Sequence, residues 1–430
     1  MNRIIRLALI LAAAFSLVFL TACGEDEVAE MDARITVQAE TDWIPYYEAA
    51  AARVQEANPG AEIEIIESGS FDMLDVLDST GAGNSDVADV FALPADRIYG
   101  LVNNDALAPI DGPAMAERVG GFADYDAGLG GAFNIDGDYF AFPMNIETLI
   151  NFVNTENADA AGIDIASTIE FSNIAYDAML VPVFNAWFGV ALTNSADIEF
   201  LEQDGSGFAS DLTADWADLP AEKRDAFTVL YEYWEAHEAA GTPLWDASSA
   251  WGYMDSEFEP GGATALRLEG PWSTGALTER AGTDNIAILP INQVTLNGNP
   301  LLHWRGGWGI GVNARLEGTG AQFDLAVAFI EELLNTEYAV EFFTDTGKIM
   351  ENVPASVYLN SDLSDADKTV ISAVIESYEE APTRPLFTEW GQVWSTWENG
   401  LLSWASVRPE NAEAAYSEVQ SAFRALMDNL

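Results

Sequence analysis

Tryptophan is unevenly distributed along this chain of 430 residues, and several indole rings stand beside turn-forming residues. Twelve of the thirteen tryptophans follow residue 180, including Trp272 in a Gly-Pro-Trp run, Trp308 in a Gly-Gly-Trp run and Trp394 in EWGQVWSTW. Rings beside turns are poorly placed for a helical core stripe and better placed on a loop or strand end. An indole that covers the apolar face of a pyranose contributes about 1.5 kcal/mol. This placement predicts a carbohydrate-binding surface.

The alternative interpretation is that these rings belong to a hydrophobic core. We favour the core interpretation for Trp187, Trp216, Trp234 and Trp404. Paired carboxylates do not help to decide, because the 70 Asp and Glu residues produce pairs at almost any spacing by chance. A glycosidase-like pair of acids therefore cannot be argued from spacing.

Metal and nucleophile chemistry receive little support from the sequence. The two histidines, His237 and His303, have no cysteine or second histidine nearby, so we expect neither a zinc site nor any other metal or cofactor. His237 is predicted to lie on the surface of a helix. Phosphate-binding, dinucleotide-binding and nucleophile-elbow motifs are absent from the sequence.

The formal charge is extreme, with 17 Lys and Arg against 70 Asp and Glu and a net charge of −53. Such a charge excludes nucleic acid and anionic lipid headgroups as partners. It also destabilises a compact state through self-repulsion, which salt screens. We therefore predict an acidic protein of halophilic type that needs salt to be fully stable.

The first residues have the pattern of an export signal. Arg3 and Arg6 precede an apolar run from Ile4 to Leu20, and small residues come just before Cys23, the single cysteine of the chain. This segment resembles the lipobox of bacterial lipoproteins. It implies a signal peptide at 1–22, lipidation of Cys23 and a lipid-anchored tether at 23–33. The mature protein is expected outside the cell membrane, attached to its outer face.

About 400 residues exceed one ordinary hydrophobic core, so two domains are expected. Alternating apolar residues predict strands at 34–39 and 61–68, with a helix beginning at Pro45 between them. The segment 86–93 predicts a buried strand, and the order of elements indicates an α/β layer with a mostly parallel sheet. Two helices are expected within 323–347 and another within 411–430. Pro143 suits a hinge between the domains.

Several stretches in a fixed order make the chain resemble the extracellular solute-binding proteins of ABC importers. Within that group it is most similar to the maltose/maltodextrin-binding and trehalose/maltose-binding proteins. The stretches are SDVADVFALPADRIYGLVNNDALAPID, GDYFAFPMNIETLINFVNTEN, GGATALRLEGPW, WRGGWGIGVNA and RPLFTEWGQVWSTWENGLLSW. The resemblance implies a two-lobe, type II periplasmic-binding fold with a hinge and a ligand cleft. Its lobes would comprise 34–145 with 310–362, and 149–306 with 366–430.

The resemblance also implies where the ligand is bound. Asp96 and Arg97 match the family's Asp-Arg pair, which hydrogen-bonds sugar hydroxyls, and Trp272 and Trp394 match its stacking rings. The full set of implied ligand-binding positions is Asp42, Trp43, Glu67, Asp96, Arg97, Glu147, Tyr176, Trp272, Gly307, Trp308, Arg384 and Trp394.

The resulting hypothesis is a receptor without enzymatic activity. It would bind an oligosaccharide, of the maltose, maltodextrin or trehalose kind, and deliver it to the membrane permease of an ABC transporter. We expect it to act as a monomer. Two alternatives remain open at this point: an exported glycoside hydrolase, and the same fold binding a solute other than a sugar.

Overall fold

The computed structural model describes residues 32–430, so the predicted signal peptide, Cys23 and most of the tether at 23–33 lie outside the described residues. Within 32–430, no helix is long and apolar enough to cross a membrane. The strands are β1 Ala33–Ala39, β2 Ala61–Glu67, β3 Val90–Pro94, β4 Asn134–Ile135, β5 Asp138–Tyr139, β6 Phe142–Glu147, β7 Ile150–Asn154, β8 Ile169–Glu170, β9 Met179–Leu180, β10 Glu202–Asp204, β11 Gly207–Ala209, β12 Leu266–Glu269, β13 Ile286–Leu289, β14 Val294–Leu296, β15 Asn299–Pro300 and β16 Gly306–Val312.

The α-helices of residues 32–430 are separated by strands, loops and short 3-10 turns. They are α1 Ile44–Ala57, α2 Ser70–Thr80, α3 Ile98–Asn103, α4 Gly112–Val119, α5 Leu129–Ala132, α6 Thr155–Ala161, α7 Ala186–Thr193, α8 Ala221–Ala240, α9 Ala250–Glu257, α10 Thr274–Ala281, α11 Ala321–Leu333, α12 Ala339–Thr346, α13 Ala355–Leu359, α14 Asp365–Glu379, α15 Val393–Leu402, α16 Trp404–Val407 and α17 Ala412–Met427.

The first sheet has the strand order β2-β1-β3-β16-β6. β1 is parallel to β2 and β3, whereas β16 is antiparallel to β3 and β6, so the parallel pairing predicted from the sequence holds for one half of the sheet. The predicted strands β1 and β2 and the helix α1 are confirmed. Pro45 stands in the first turn of α1, where its missing N–H has no intrahelical partner to lose.

The second sheet has the strand order β13-β7-β12-β9. β7 lies between β12 and β13 and is antiparallel to both of them. The helices α7, α8, α15 and α17 cover a large apolar core on this side, which includes the fully buried rings of Trp397 and Trp404. The helices predicted within 323–347 and 411–430 are confirmed as α11, α12 and α17.

Short connections carry the chain to and from the first sheet. Thr148 and Leu149 link β6 in the first sheet to β7 in the second, and residues 301–305 lead from β15, which belongs to a separate three-stranded sheet with β14 and β8, back to β16. The prediction that Pro143 marks the hinge is wrong, because Pro143 lies within β6 opposite Gly309. The register shifts there by one residue, and such a bulge accommodates a proline that has no N–H for the ladder.

Both histidines are buried, so the prediction that His237 lies on a helix surface is also wrong. Burial lowers the pKa of His237 to about 4 and that of His303 to about 3. His303 belongs to the second connection, where its Nε2 lies 2.9 Å from the carbonyl oxygen of Trp187. Its Nδ1 lies 3.4 Å from the hydroxyl of Thr148 in the first connection. The neutral ring therefore joins both connections to the start of α7.

Candidate functional site

A cavity of about 700 Å³ opens between the two sheets and is lined by residues that follow strands of both. The walls are formed mainly by aromatic rings, interrupted by a few charged side chains. The structure brings seven of the sequence-predicted positions together around this cavity: Asp96, Arg97, Glu147, Trp272, Trp308, Arg384 and Trp394.

Asp96 and Arg97 lie in the 3-10 turn that directly follows β3, at the end of a fully buried strand. Arg97 forms an ion pair with Asp78 on α2. Asp96 accepts a hydrogen bond from Arg384 at 2.6 Å through Oδ2. Its other oxygen, Oδ1, is buried and has no partner among residues 32–430. Asp96 therefore retains one free acceptor in the wall of the cavity.

Arg384, the hydrogen-bond partner of Asp96, lies among three indole rings. Its guanidinium carbon lies 4.8 Å from the ring centre of Trp187, 5.6 Å from that of Trp304 and 5.8 Å from that of Trp394. Burial lowers the pKa of Arg384, whereas Asp96 and Glu147 act to raise it. The side chain is only 8% exposed, so the pair with Asp96 is shielded from solvent. Indoles stabilise such a cation through their electron-rich faces.

Trp308 and Glu147 stand side by side on neighbouring strands. Trp308 lies in β16, and its indole N–H donates to a carboxylate oxygen of Glu147 at the end of β6. The ring of Phe71, from the first turn of α2, packs edge-on against Trp308 at 5.3 Å. Phe71 is 57% exposed, so an apolar edge is left open beside the cavity.

The Gly-Pro-Trp run has a steric explanation. A Cβ atom placed on Gly270 would come within 2.1 Å of the ring of Trp272, so only glycine lets this indole fold back over the backbone. Trp272 remains 47% exposed and lies 6.3 Å from the ring of Trp187. A large indole ring that is this exposed in a concave wall offers an apolar surface to a ligand.

Sequence reasoning missed several members of the wall. Trp187, which we expected in the core, lines the cavity from the first turn of α7. Trp390, Phe71, Phe387 and Lys348 line it as well. The aromatic segment around residue 390 was a usable signal for Trp390. The uniformly apolar helix α7 gave no such signal for Trp187.

Three implied positions near the start of the chain lie outside the cavity wall. Trp43 is 3% exposed and stacks on Tyr47 in the core, because the 3-10 turn Thr41–Trp43 runs straight into α1 and turns the ring inward. Asp42 is exposed. Glu67 is also exposed and accepts a hydrogen bond from the hydroxyl of Thr41 at 2.8 Å.

Two further implied positions have local roles instead. Tyr176 packs edge-on against His237 at 4.8 Å and lines a separate pocket of about 140 Å³. Gly307 lies in β16 behind the cavity, where a Cβ would come within 2.4 Å of the carbonyl oxygen of Asn145. A glycine there permits the close approach of β16 to β6.

The arrangement suits binding rather than bond cleavage. The wall combines flat indole faces with the Asp96–Arg384 ion pair, the carboxylate of Glu147 and the ammonium of Lys348. These charged groups can form hydrogen bonds with hydroxyl groups of a ligand. Among residues 32–430, no group of three or more His, Cys, Asp or Glu side chains is arranged to hold a metal ion.

A family model described as bacterial extracellular solute-binding protein matches residues 49–370, which is most of the chain. The chain belongs to this family. The maltodextrin-binding protein MdxE of Bacillus subtilis is 25% identical to this solute-binding protein over 95% of each chain. Membership makes the chain a binding protein of the extracellular compartment and not an enzyme, which removes the glycoside hydrolase alternative.

Solved structures of other proteins confirm the fold predicted for this solute-binding protein. MalE from Listeria monocytogenes, in complex with maltose, superimposes with a TM-score of 0.69 at 19% identity, covering 92% of this chain and 97% of its own. MalX from Streptococcus pneumoniae, in complex with maltopentaose, gives 0.68 at 18% identity, covering 92% and 100%. The two-lobe, type II periplasmic-binding fold is therefore confirmed.

Proposed function

We propose that this solute-binding protein captures an oligosaccharide of the maltodextrin or trehalose type and delivers it to the permease of an ABC importer. The observation that carries the proposal is the cavity between the sheets, into which five indole rings point together with Asp96, Glu147 and Arg384. The maltodextrin-binding relative, which aligns over nearly the whole chain, supports the same ligand class.

The energetics of the cavity agree with a sugar ligand. Covering roughly 60 Å² of a pyranose face contributes about 1.5 kcal/mol for each ring. Hydrogen bonds between hydroxyls and ionised groups add about 1.5–3 kcal/mol each. Three rings and two such bonds reach about the −8 kcal/mol of a micromolar ligand. A ligand that touches both sides of the cavity favours the closed arrangement of the lobes.

Replacing both Trp272 and Trp394 with alanine should weaken sugar binding by roughly a hundredfold, because two stacking surfaces are lost. Calorimetric titration in high salt with maltose, maltotriose and trehalose measures the change. Trp251→Ala is a matched control, since this indole is 37% exposed on α9 and packs on Phe188 away from the cavity. Unchanged sugar affinity in the double variant would place the site elsewhere.

If no sugar binds to the wild-type protein while another solute does, the second alternative from the sequence is correct. A thermal-shift screen that includes polyamines and phosphate esters covers this outcome. A ligand at a hundred times its dissociation constant should stabilise the fold by about 2.7 kcal/mol.

We further propose that Cys23 carries the lipid that attaches the receptor to the outer face of the membrane. The apolar run before it and the acidic tether after it support this assignment. Cys23→Ala should move the protein from the membrane fraction to the soluble fraction, since stable anchoring needs the acyl chains. Fractionation of expressing cells, combined with labelling by a fatty-acid analogue, checks this. Wild-type protein that remains unlabelled would contradict it.

A further inference from the structure

Lys348 is one of three lysines in the chain, and its side chain lines the cavity. Hydrogen bonds fix the backbone around Lys348 beside the cavity. Gly347 ends α12 with a φ of 68°, which glycine adopts without strain. The N–H of Lys348 donates to the hydroxyl of Thr346 at 3.1 Å. The following carbonyl, of Ile349, accepts from the N–H of Ile146 in β6 at 3.0 Å.

The ammonium of Lys348 is not committed to an ion pair. The other two cations in the wall, Arg97 and Arg384, are each paired with an aspartate. Among residues 32–430, no carboxylate oxygen lies within 4.0 Å of the Lys348 Nζ atom. Within this described range, eleven of the fifteen lysine and arginine side chains form ion pairs, and the other four are Arg224, Arg305, Lys348 and Lys368. Of these four, Lys348 alone lines the cavity.

Aromatic rings hold this cation in place instead. Its Nζ atom lies 5.4 Å from the ring centre of Trp308 and 5.7 Å from that of Trp43. The attraction between an ammonium and an indole face positions the group without a conventional acceptor for its N–H bonds. The N–H donors of Lys348 are thus free to point into the cavity.

Lys348 also lies where the cavity adjoins a much smaller space, and we call this part of the cavity its narrow end. A gap of only about 20 Å³ adjoins it, and Lys348, Glu147 and Trp272 line both spaces. A sugar unit at this end would meet an indole face, a carboxylate acceptor and an ammonium donor together.

We propose that Lys348 determines ligand specificity by donating hydrogen bonds to the hydroxyl oxygens of the sugar unit at this narrow end. This inference rests on the proposed function, namely that the ligand is an oligosaccharide. The guanidinium groups of Arg97 and Arg384 are each paired with an aspartate, whereas the ammonium of Lys348 offers a hydroxyl oxygen a donor that no carboxylate occupies.

Lys348→Met should weaken the affinity for maltotriose by roughly ten- to a hundredfold, because a hydrogen bond to a charged group is lost. Lys348→Arg, which keeps a donor, should recover part of the loss. Lys368→Met on α14 is the matched control, because it removes the same charge outside the cavity wall. Calorimetry measures the affinities, and circular dichroism checks that the variants melt alike.

Monodeoxy derivatives of maltose separate a direct contact from a general effect on the fold. At least one derivative should bind more weakly to the wild type while losing no further affinity to Lys348→Met, since the two deletions then remove the same bond. Lys348→Met affinities equal to those of Lys368→Met, or an equal loss for every derivative, would overturn the inference. The proposed function fails separately, if the wild-type protein binds no sugar.

Discussion

Replacing Arg384 with methionine is expected to lower the free energy of unfolding by about 3–5 kcal/mol. The guanidinium is 8% exposed and is the hydrogen-bond partner of Asp96, so its removal leaves a partly buried carboxylate without compensation. The same change removes a donor from the cavity wall, and sugar affinity should fall with it. Denaturant unfolding in high salt, followed by circular dichroism, measures the loss of stability.

A second substitution identifies the cause of that loss. Asp96→Asn in the Arg384→Met background should recover part of the stability, because the uncompensated charge is then gone. Arg408→Met is the control, since Arg408 is 69% exposed in its ion pair with Glu238 and should change stability by less than about 1 kcal/mol. If Arg384→Met and Arg408→Met lowered the free energy of unfolding equally, the Asp96–Arg384 pair would stabilise the fold no more than an exposed ion pair does.

Salt is expected to raise the melting temperature by roughly 10 to 20 °C between about 10 mM and about 2 M sodium chloride. The net charge of −53 means that most carboxylates have no cation available. If repulsion lowers the free energy of unfolding by about 0.2 kcal/mol for each of these carboxylates, the total loss is on the order of 10 kcal/mol. The Debye length falls from about 30 Å to less than 3 Å over this range, which removes most of the repulsion.

Potassium chloride should give the same rise as sodium chloride, because screening depends on ionic strength and not on which monovalent cation is present. Melting followed by circular dichroism at both salts checks this. A melting temperature that stays constant over the whole range would contradict the prediction that the protein is halophilic.

Local sequence patterns correctly predicted the strands and the helix whose formation depends on neighbouring residues in the chain. The alternation in β1 and β2 and the proline at the start of α1 depend on neighbours in the chain, and these elements are confirmed. Trp272 and Trp308, whose positions beside glycines indicated an exposed or strand-end ring, do line the cavity.

Features that depend on distant contacts were not predictable in this way. Trp187 lies in a uniformly apolar helix, and only the packing of α7 against the connections between the sheets turns its ring towards the cavity. Trp43 shows the opposite error, since its ring is drawn into the core beside Tyr47. Lys348 reaches Trp43 across about 300 residues of sequence, and no local pattern reports such a contact.

The gathering of indoles around one cavity has a practical consequence. Five of the thirteen tryptophans line it, and Trp272 is half exposed in the described structure. Indole fluorescence moves to shorter wavelength when water is displaced from the ring. The molecule therefore carries an intrinsic optical reporter, and occupancy could be followed in real time, at any ionic strength, without attaching a dye.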